Sequence, residues 1–425
     1  MGLRSGAAGR GAELPAVHAC VAARPARGVP RAIAVGLLAL CVHAADASAA
    51  GANLAAEARR IVGAGQGVHV ESETGTVLVS QAAERAVHPA SVSKIPTTLA
   101  LLRKLGPDHR FETRFLARGP IEGGTLAGPL VVRSTGDPYF VDENAILTVQ
   151  ALRSRGLQRI DGGLLVEGEL LFNWKAEQLA PRLRRALEGQ VSDEAWRAVR
   201  ERGAAAGARA PRLVFGKLGP DVPGPETLLV THRSQPLLFM LKALNGYSNN
   251  IFAPFAAAAG GVAAVERAIR AELPAAYRSE LILGDGAGAH PRNRMSPRAT
   301  VAILKRLAEV LAEHDLDLAH VMPVAGTDAG TLEKRLVGPD GRGIVVAKTG
   351  TYGDYGACAL AGALRTKRHG VVYFAILNRG VPIEEGRRRQ DAFVRTLIHE
   401  LEAEPWPYRP DEAAAFTRAQ IMPAD

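Results

Sequence analysis

A serine and a lysine stand three residues apart where a polar loop turns into an apolar, helix-like run. They are Ser91 and Lys94 in "HPASVSKIPTTLALL". Residues at this spacing lie on one face of a helix, so the lysine amine could take the proton of the serine hydroxyl and make it a nucleophile. A helix-capping serine beside a solvated lysine fits the same pattern. The pair alone leaves both interpretations open.

Two more short motifs follow in chain order. Ser248 to Asn250 form a Ser-x-Asn at the end of an apolar helical run, and Lys348 to Thr351 form a Lys-Thr-Gly-Thr at the end of a predicted strand. Each motif alone is common in turns and strand ends. In the order Ser-x-x-Lys, Ser-x-Asn, Lys-Thr-Gly, the set is the one found in β-lactamases and penicillin-binding proteins.

The first two motifs could supply the proton transfers of an acyl transfer reaction. A serine hydroxyl is a poor nucleophile until a neighbour takes its proton. Lys94 can do so if burial and a nearby Lys348 cation lower its pKa towards neutral. Ser248 can relay the proton to a leaving amine, and Asn250 can hold a substrate amide. We therefore predict that Ser91, Lys94 and Ser248 are catalytic.

The third motif could bind the substrate. Lys348 and Thr349 offer a cation and a hydroxyl to a substrate carboxylate, and Gly350 would let a peptide lie close to the strand. The backbone N–H groups of Ser91 and Thr351 would form an oxyanion hole. The set predicts acyl transfer through a serine ester, at a site that needs no metal and no cofactor.

The elements around these motifs predict an α+β fold. Strand-like "GVHVES" and "TVLVSQ" precede the helix that begins near Ser93, and three strand candidates, from "GIVVAKTGT" to "GVVYFAILNRG", precede a final helix. Helices between strands from both chain ends indicate that these strands share one antiparallel sheet. Residues 111–225 have short strands, turns and a charged helical stretch. We predict an inserted domain there and a catalytic domain over 50–110 and 226–425.

The first 49 residues have the pattern of a signal peptide. Five arginines precede the apolar run "AIAVGLLALCV", and Ala47-Ser48-Ala49 follows as a cleavage signal. We expect export to the periplasm and cleavage after Ala49. A retained leader would instead anchor the protein peripherally at the membrane, and this alternative stays open. Cys358 is the cysteine left in the mature chain, and its apolar surroundings predict a buried thiol.

Charge and composition exclude some classes of function. The formal net charge is +9, but the basic residues are not interleaved with aromatic ones, and we interpret "RRR" at 387–389 as a solvated helix face. Nucleic acid is therefore not an expected partner. The cysteines and histidines do not have zinc spacing.

The chain resembles the low-molecular-mass penicillin-binding proteins of the D-alanyl-D-alanine carboxypeptidase/endopeptidase type. The resemblance covers nearly all of the mature chain and includes "HPASVSK", "STGDPYF", "GYSNN", "GDGAGAHPRNRMSPRATVAIL" and "AKTGTYGDYGACALAGAL". It implies a β-lactamase/transpeptidase-like domain with an insertion, which cleaves peptidoglycan peptides and is inhibited by β-lactams. It also implies that Ser91 is the acyl-ester nucleophile. "NWKAEQLAPRL" departs from the acidic, Trp-rich stretch with which the family grips the peptide side chain.

Two alternative functions remain. Tyr247-Ser248-Asn249 could be the Tyr-x-Asn of one class of serine β-lactamase, although the flanking sequence favours the Ser248 register. The other common class needs a Glu-x-x-Asn loop, which does not follow Ser248. A catalytically inactive wall-binding relative would not need the intact Ser91 and Lys94.

Overall fold

One large antiparallel sheet joins the two ends of the chain in the computed structural model, which describes residues 51–204, 207–216, 224–353, 356–411 and 413–424. Its strands, in spatial order, are Val345–Tyr352, Ala357–Thr366, Gly370–Arg379, Gly67–Ser72 and Val77–Gln81, with Ala403–Glu404 beside Ala357–Thr366. The predicted shared sheet is confirmed. The predicted signal peptide, residues 1–49, lies outside the described residues.

Helices cover both faces of this sheet. Leu360, Phe374 and Ile376 pack on one side against the helix Ile383–Glu400. The alternate positions, such as Ala361 and Ala375, pack on the other side against Lys94–Leu105 and Pro297–Ala312. Because both faces are buried, the strands are nearly continuous apolar runs. The α+β prediction is confirmed.

The helices around the large sheet begin and end within a few residues of the predicted bounds. The α-helices after residue 63 of the described chain are Lys94–Leu105, Asp142–Ser154, Leu179–Leu187, Asp193–Glu201, Leu237–Tyr247, Phe252–Phe255, Val262–Glu272, Pro297–Ala312 and Ile383–Glu400. Short 3-10 turns include Ala90–Ser93, which directly precedes the first of these helices. Residues 51–58 are also helical, and Arg59–Gly63 continues them as a π-helical turn.

The region predicted as an insertion has its own sheets and core. A five-stranded sheet has the order Gln420–Pro423, Glu226–Arg233, Glu112–Arg118, Leu130–Ser134 and Leu164–Glu167. A four-stranded sheet has the order Val214–Phe215, Arg159–Ile160, Thr125–Leu126 and Ile121–Glu122, and Asp137–Phe140 pairs with Leu170–Phe172. Outside this region, two further strands, Leu281–Ile282 and Arg294–Met295, form a separate pair.

The boundaries of this insertion remain a proposal. Its five-stranded sheet includes Glu226–Arg233 and Gln420–Pro423, which lie outside 111–225. Contacts group Ala50–Asp425 as one compact unit. The helices Asp142–Ser154 and Leu179–Leu187 also lie in a stretch where the sequence indicated strands and turns.

In the part of the chain that the structure describes, no single helix is long and apolar enough to cross a bilayer. The bent pair Phe252–Ala259 and Val262–Glu272, with an angle of 68° between its halves, has the necessary length and composition. Side chains of both halves pack in the core beside Lys94–Leu105.

Candidate active site

Ser91 and Lys94 lie at the junction of a 3-10 turn and an α-helix. Ser91 is in the turn Ala90–Ser93, and Lys94 is the first residue of Lys94–Leu105. The Lys94 side chain is fully buried, and its Nζ donates a hydrogen bond to Ser91 Oγ at 2.8 Å. The N-cap residue is Ser93, whose side chain makes no capping bond. The alternative of a capping serine beside a solvated lysine is therefore wrong.

Lys94 Nζ has two more acceptors. It donates to Asn250 Oδ1 at 3.2 Å and to the carbonyl oxygen of Ala287 at 2.6 Å. Burial lowers the pKa of Lys94 to about 8, and the Asp285 carboxylate opposes this shift. An amine with this pKa is neutral in about a tenth of the molecules at pH 7. The site can therefore hold a lysine that acts as a base.

Ser248 and Lys348 form the second serine–lysine contact. Ser248 ends the helix Leu237–Tyr247 in a left-handed conformation, with φ of 55°. Lys348 Nζ donates to Ser248 Oγ at 2.8 Å and to the carbonyl oxygen of Thr349 at 2.9 Å. Lys348 is fully buried, and both burial and the Lys94 charge lower its pKa well below the usual range. The charge of Lys94 thus acts on Lys348, whereas the predicted effect of a Lys348 cation on the pKa of Lys94 stays a prediction.

The loop of residues 284–290 packs behind Ser91 and was not among the predicted site residues. The Asp285 carboxylate accepts hydrogen bonds from the backbone N–H groups of Gly288, Ala289 and His290, at 2.7 to 3.1 Å. At Gly288, where φ is +90°, a Cβ would collide with the carbonyl of Ala90. The aspartate and glycines of "DGAG" were the available signal, because such residues are typical of tight turns.

Two contacts hold the turn of Ser91 against the end of the strand Val345–Tyr352. The ring of His88 stacks on Tyr352 with a centroid distance of 4.0 Å. A Cβ at Gly350 would lie 2.6 Å from the carbonyl oxygen of Pro89. Gly350 therefore allows a close approach within the protein itself. That it also leaves room for a substrate peptide stays a prediction.

A cleft of about 600 Å³ opens in front of these groups. It is lined by Ser91, Ser248, Thr331, Arg335, Thr349, Thr351, Glu384, Arg387, Arg388 and Asp391. Thr349 and Thr351 line it together because alternate residues of a strand face the same side. Residues 387–389 keep 36% to 75% of their side-chain surface exposed, in line with the predicted solvated helix face, and Arg387 and Arg388 also line one wall of the cleft.

The predicted site residues thus meet in one place, through the contacts of the two lysines and the lining of the cleft. Cys358 is a free, buried thiol, as predicted, with Gln390 Nε2 at 3.3 Å from its Sγ. Within the described ranges, no three His, Cys, Asp or Glu side chains form a group that could hold a metal ion.

The sequence matches the family model of D-Ala-D-Ala carboxypeptidase 3 (S13) over residues 48–180 and 201–399. The chain belongs to this family. It is 35% identical over 78 residues to the D-alanyl-D-alanine carboxypeptidase DacB of Haemophilus influenzae. That alignment covers 18% of this chain and 16% of the relative, about a sixth of the relative's length.

Solved structures resemble the fold over most of the chain. A predatory endopeptidase from Bdellovibrio bacteriovorus, acylated by penicillin G and in complex with an immunity protein, matches with a TM-score of 0.70 and 21% identity, over 84% of this chain and 99% of that one. Penicillin binding protein 4 (dacB) from Haemophilus influenzae matches with a TM-score of 0.59 and 20% identity, over 82% and 99%. The chain therefore has the transpeptidase-like fold that the sequence predicts.

Proposed function

We propose that this S13 family member is a penicillin-sensitive D-alanyl-D-alanine carboxypeptidase/endopeptidase that acts through a serine acyl-enzyme. The observation that carries the proposal is the hydrogen bond of 2.8 Å between Lys94 Nζ and Ser91 Oγ, with the lysine fully buried. A serine paired with a lysine of lowered pKa is an activated nucleophile. The substrates are peptidoglycan stem peptides or cross-links, and the inhibitors are β-lactams.

In the first half of the reaction Ser91 is acylated. Neutral Lys94 accepts the hydroxyl proton while Ser91 Oγ attacks the carbonyl carbon of the D-alanine before the scissile bond. The tetrahedral intermediate holds its negative charge on the former carbonyl oxygen, which the backbone N–H groups of Ser91 and Thr351 stabilise. The C–N bond then breaks. Ser248, which contacts Lys348 Nζ at 2.8 Å, passes its hydroxyl proton to the leaving amine and takes up the proton that Lys94 removed from Ser91, so Lys94 is neutral again.

In the second half water attacks the ester. The water oxygen bonds to the acyl carbon as one water proton passes to neutral Lys94. The ester C–O bond then breaks as Lys94 gives that proton to Ser91 Oγ, which releases the shortened peptide and restores Ser91. This step repeats the first one in reverse with water as nucleophile, so the same base serves both. Trimming a terminal D-alanine and cutting a D-alanyl cross-link differ only in the leaving amine.

The remaining site residues hold the substrate. Asn250, whose Oδ1 already accepts from Lys94, offers its amide N–H to a substrate carbonyl. Lys348 and Thr349 serve the carboxylate of the leaving residue, and the approach of an anion favours the charged form of Lys348. We further propose that the protein acts on the cell wall in the periplasm, in line with the predicted signal peptide.

Labelling with a fluorescent penicillin tests this function. The wild-type protein should form a stable covalent adduct, seen by gel fluorescence and as a matching mass increase. Ser91→Ala should abolish the adduct and keep the far-UV circular dichroism of the wild type, because Ser91 makes no capping bond that the helix needs. Labelling of the Ser91→Ala protein at the wild-type rate would refute the assignment. Rapid turnover of penicillin without an adduct would favour the β-lactamase alternative.

A further inference from the structure

Arg387 lies at the cleft beside the last residue of the Lys-Thr-Gly-Thr motif. Its Nη2 donates a hydrogen bond to Thr351 Oγ1 at 3.2 Å, and its Nη1 donates to Glu384 at 2.7 Å. The arginine side chain keeps 39% of its surface exposed, and Glu384 keeps 79%. An ion pair this exposed is worth little, so Glu384 orients the guanidinium without neutralising it for a ligand.

A close contact between Gly386 and the sheet brings Arg387 to the end of the strand Val345–Tyr352. Thr351 pairs with Cys358 on the neighbouring strand, and Gly386 packs directly on Cys358. A Cβ at Gly386 would lie 3.2 Å from the Cβ of Cys358, which is tighter than most such contacts. The glycine thus lets the first turn of Ile383–Glu400 approach the sheet. The next residue of the helix, Arg387, is thereby carried to the end of the strand.

Two of the other cations of the cleft are less available to a ligand. Arg335 forms an ion pair of 2.6 Å with Asp391, and both side chains are mostly buried. Lys348 is fully buried, and its Nζ donates to Ser248 and Thr349. Arg388 is 75% exposed and pairs with Glu385. Among the described residues that line the cleft, Arg387 is therefore the exposed guanidinium that contacts the motif itself.

The contact with Arg387 also sets the role of Thr351. Because the hydroxyl oxygen accepts from the guanidinium, its own proton is free to be donated to a third group. Thr349 and Thr351 present their side chains to the same cleft as Ser91. An anion between Thr351 and Arg387 would receive an O–H and an N–H, and bonds from an arginine to a carboxylate are among the stronger hydrogen bonds.

We propose that Arg387, with Thr351, binds the free carboxylate of the substrate's leaving residue and the equivalent carboxylate of penicillin. The inference rests on the proposed function and adds to it a specificity-determining residue outside the three motifs. Arg387 supplies an exposed cation for capture of the anion, whereas Lys348 supplies a buried one next to the reacting groups. A substrate without this carboxylate gains nothing from Arg387.

The test compares penicillin G with its methyl ester, in which the carboxylate is blocked. Arg387→Ala should lower the second-order rate constant of acylation by penicillin G about 10- to 100-fold, the equivalent of one or two charge-assisted hydrogen bonds. With the methyl ester the variant and the wild type should agree within about threefold. Thr351→Val should show the same selective loss, and Arg387→Lys should recover part of the rate with penicillin G, because it keeps the charge.

Arg395→Ala is the matched control, since it removes the same charge from an exposed position of the same helix about 12 Å away. It should acylate like the wild type with both probes. Equal losses with penicillin G and the ester in Arg387→Ala would mean a structural role and would overturn the inference, as would an unchanged rate with penicillin G. If the wild type forms no adduct with either probe, the proposed function itself fails.

Discussion

Substituting Gly350 by alanine should destabilise the folded, ligand-free protein, independently of any effect on substrate binding. The new methyl group would lie 2.6 Å from the Pro89 carbonyl oxygen and 3.1 Å from the Cβ of Ala90, whereas ordinary contacts begin at 3.4 Å. Strand and turn must therefore separate by about 0.8 Å, if the neighbouring side chains stay in place. Overpacking of this kind costs about 1–3 kcal/mol of folding free energy.

The same displacement reaches the nucleophile, which is two residues after Pro89. A shift of about 1 Å in a catalytic group can lower a rate about 10²-fold. We expect Gly350→Ala to acylate with penicillin about 100-fold more slowly than the wild type. The rate is measured by stopped-flow or by timed fluorescent labelling, and the free energy of unfolding by urea titration of the ligand-free protein.

Gly65→Ala is the control, because a Cβ at Gly65 would have no atom within 4 Å. It should change neither the rate nor the stability appreciably. If Gly350 serves only to admit the substrate peptide, Gly350→Ala would keep the wild-type free energy of unfolding and lose only substrate affinity. That result, or a variant that acylates within about threefold of the wild type, would refute the claim that Gly350 is needed for close packing of the strand against the turn of Ser91.

The remaining predictions concern the two lysines. Lys94→Arg should abolish acylation, because arginine cannot release a proton near neutral pH; Lys348→Arg keeps its charge and should retain measurable acylation, lowered about ten- to a thousandfold. A more active Lys94→Arg protein would invert the two roles. Since burial lowers the pKa of Lys94 to about 8 and the neutral form is the base, acylation should speed up about fivefold from pH 7 to 8 and less than twofold from pH 8 to 9. Rates that fall between pH 6 and 8 would contradict Lys94 as the base.

The four central residues of the site could be predicted because each belongs to a short local pattern. Ser91 and Lys94 need only one helical turn to meet. Ser248 and Lys348 lie 100 residues apart in the chain, and the order of the motifs predicted only that they share one site. The spacing of these residues does not show whether the Lys94 side chain is buried, and its full burial is what lowers its pKa.

Arg387 escaped prediction for a different reason. Hydrophobic periodicity tells which face of a helix is buried, but it does not tell which part of the polar face borders a cleft. Arg387 borders the cleft and Arg395 does not, although both are exposed arginines on one helix. The strand Gln420–Pro423 was likewise missed, because four residues with little apolar alternation acquire a strand conformation only through their partner, Glu226–Arg233.

The large sheet also determines when, during synthesis, this protein can fold. Gly67–Ser72 is held on one side by Gly370–Arg379, about 300 residues later in the chain. At bacterial and eukaryotic rates of synthesis, about 5–20 residues per second, the early strand waits about 15 to 60 s for that partner. Ser91 leaves the ribosome long before the strand Val345–Tyr352, which carries Lys348, and before the strand that pairs with it. A nascent chain therefore contains Ser91 early, but the contact of Ser248 with Lys348 and the sheet that holds Lys348 can form only after residues 345–379 have been made.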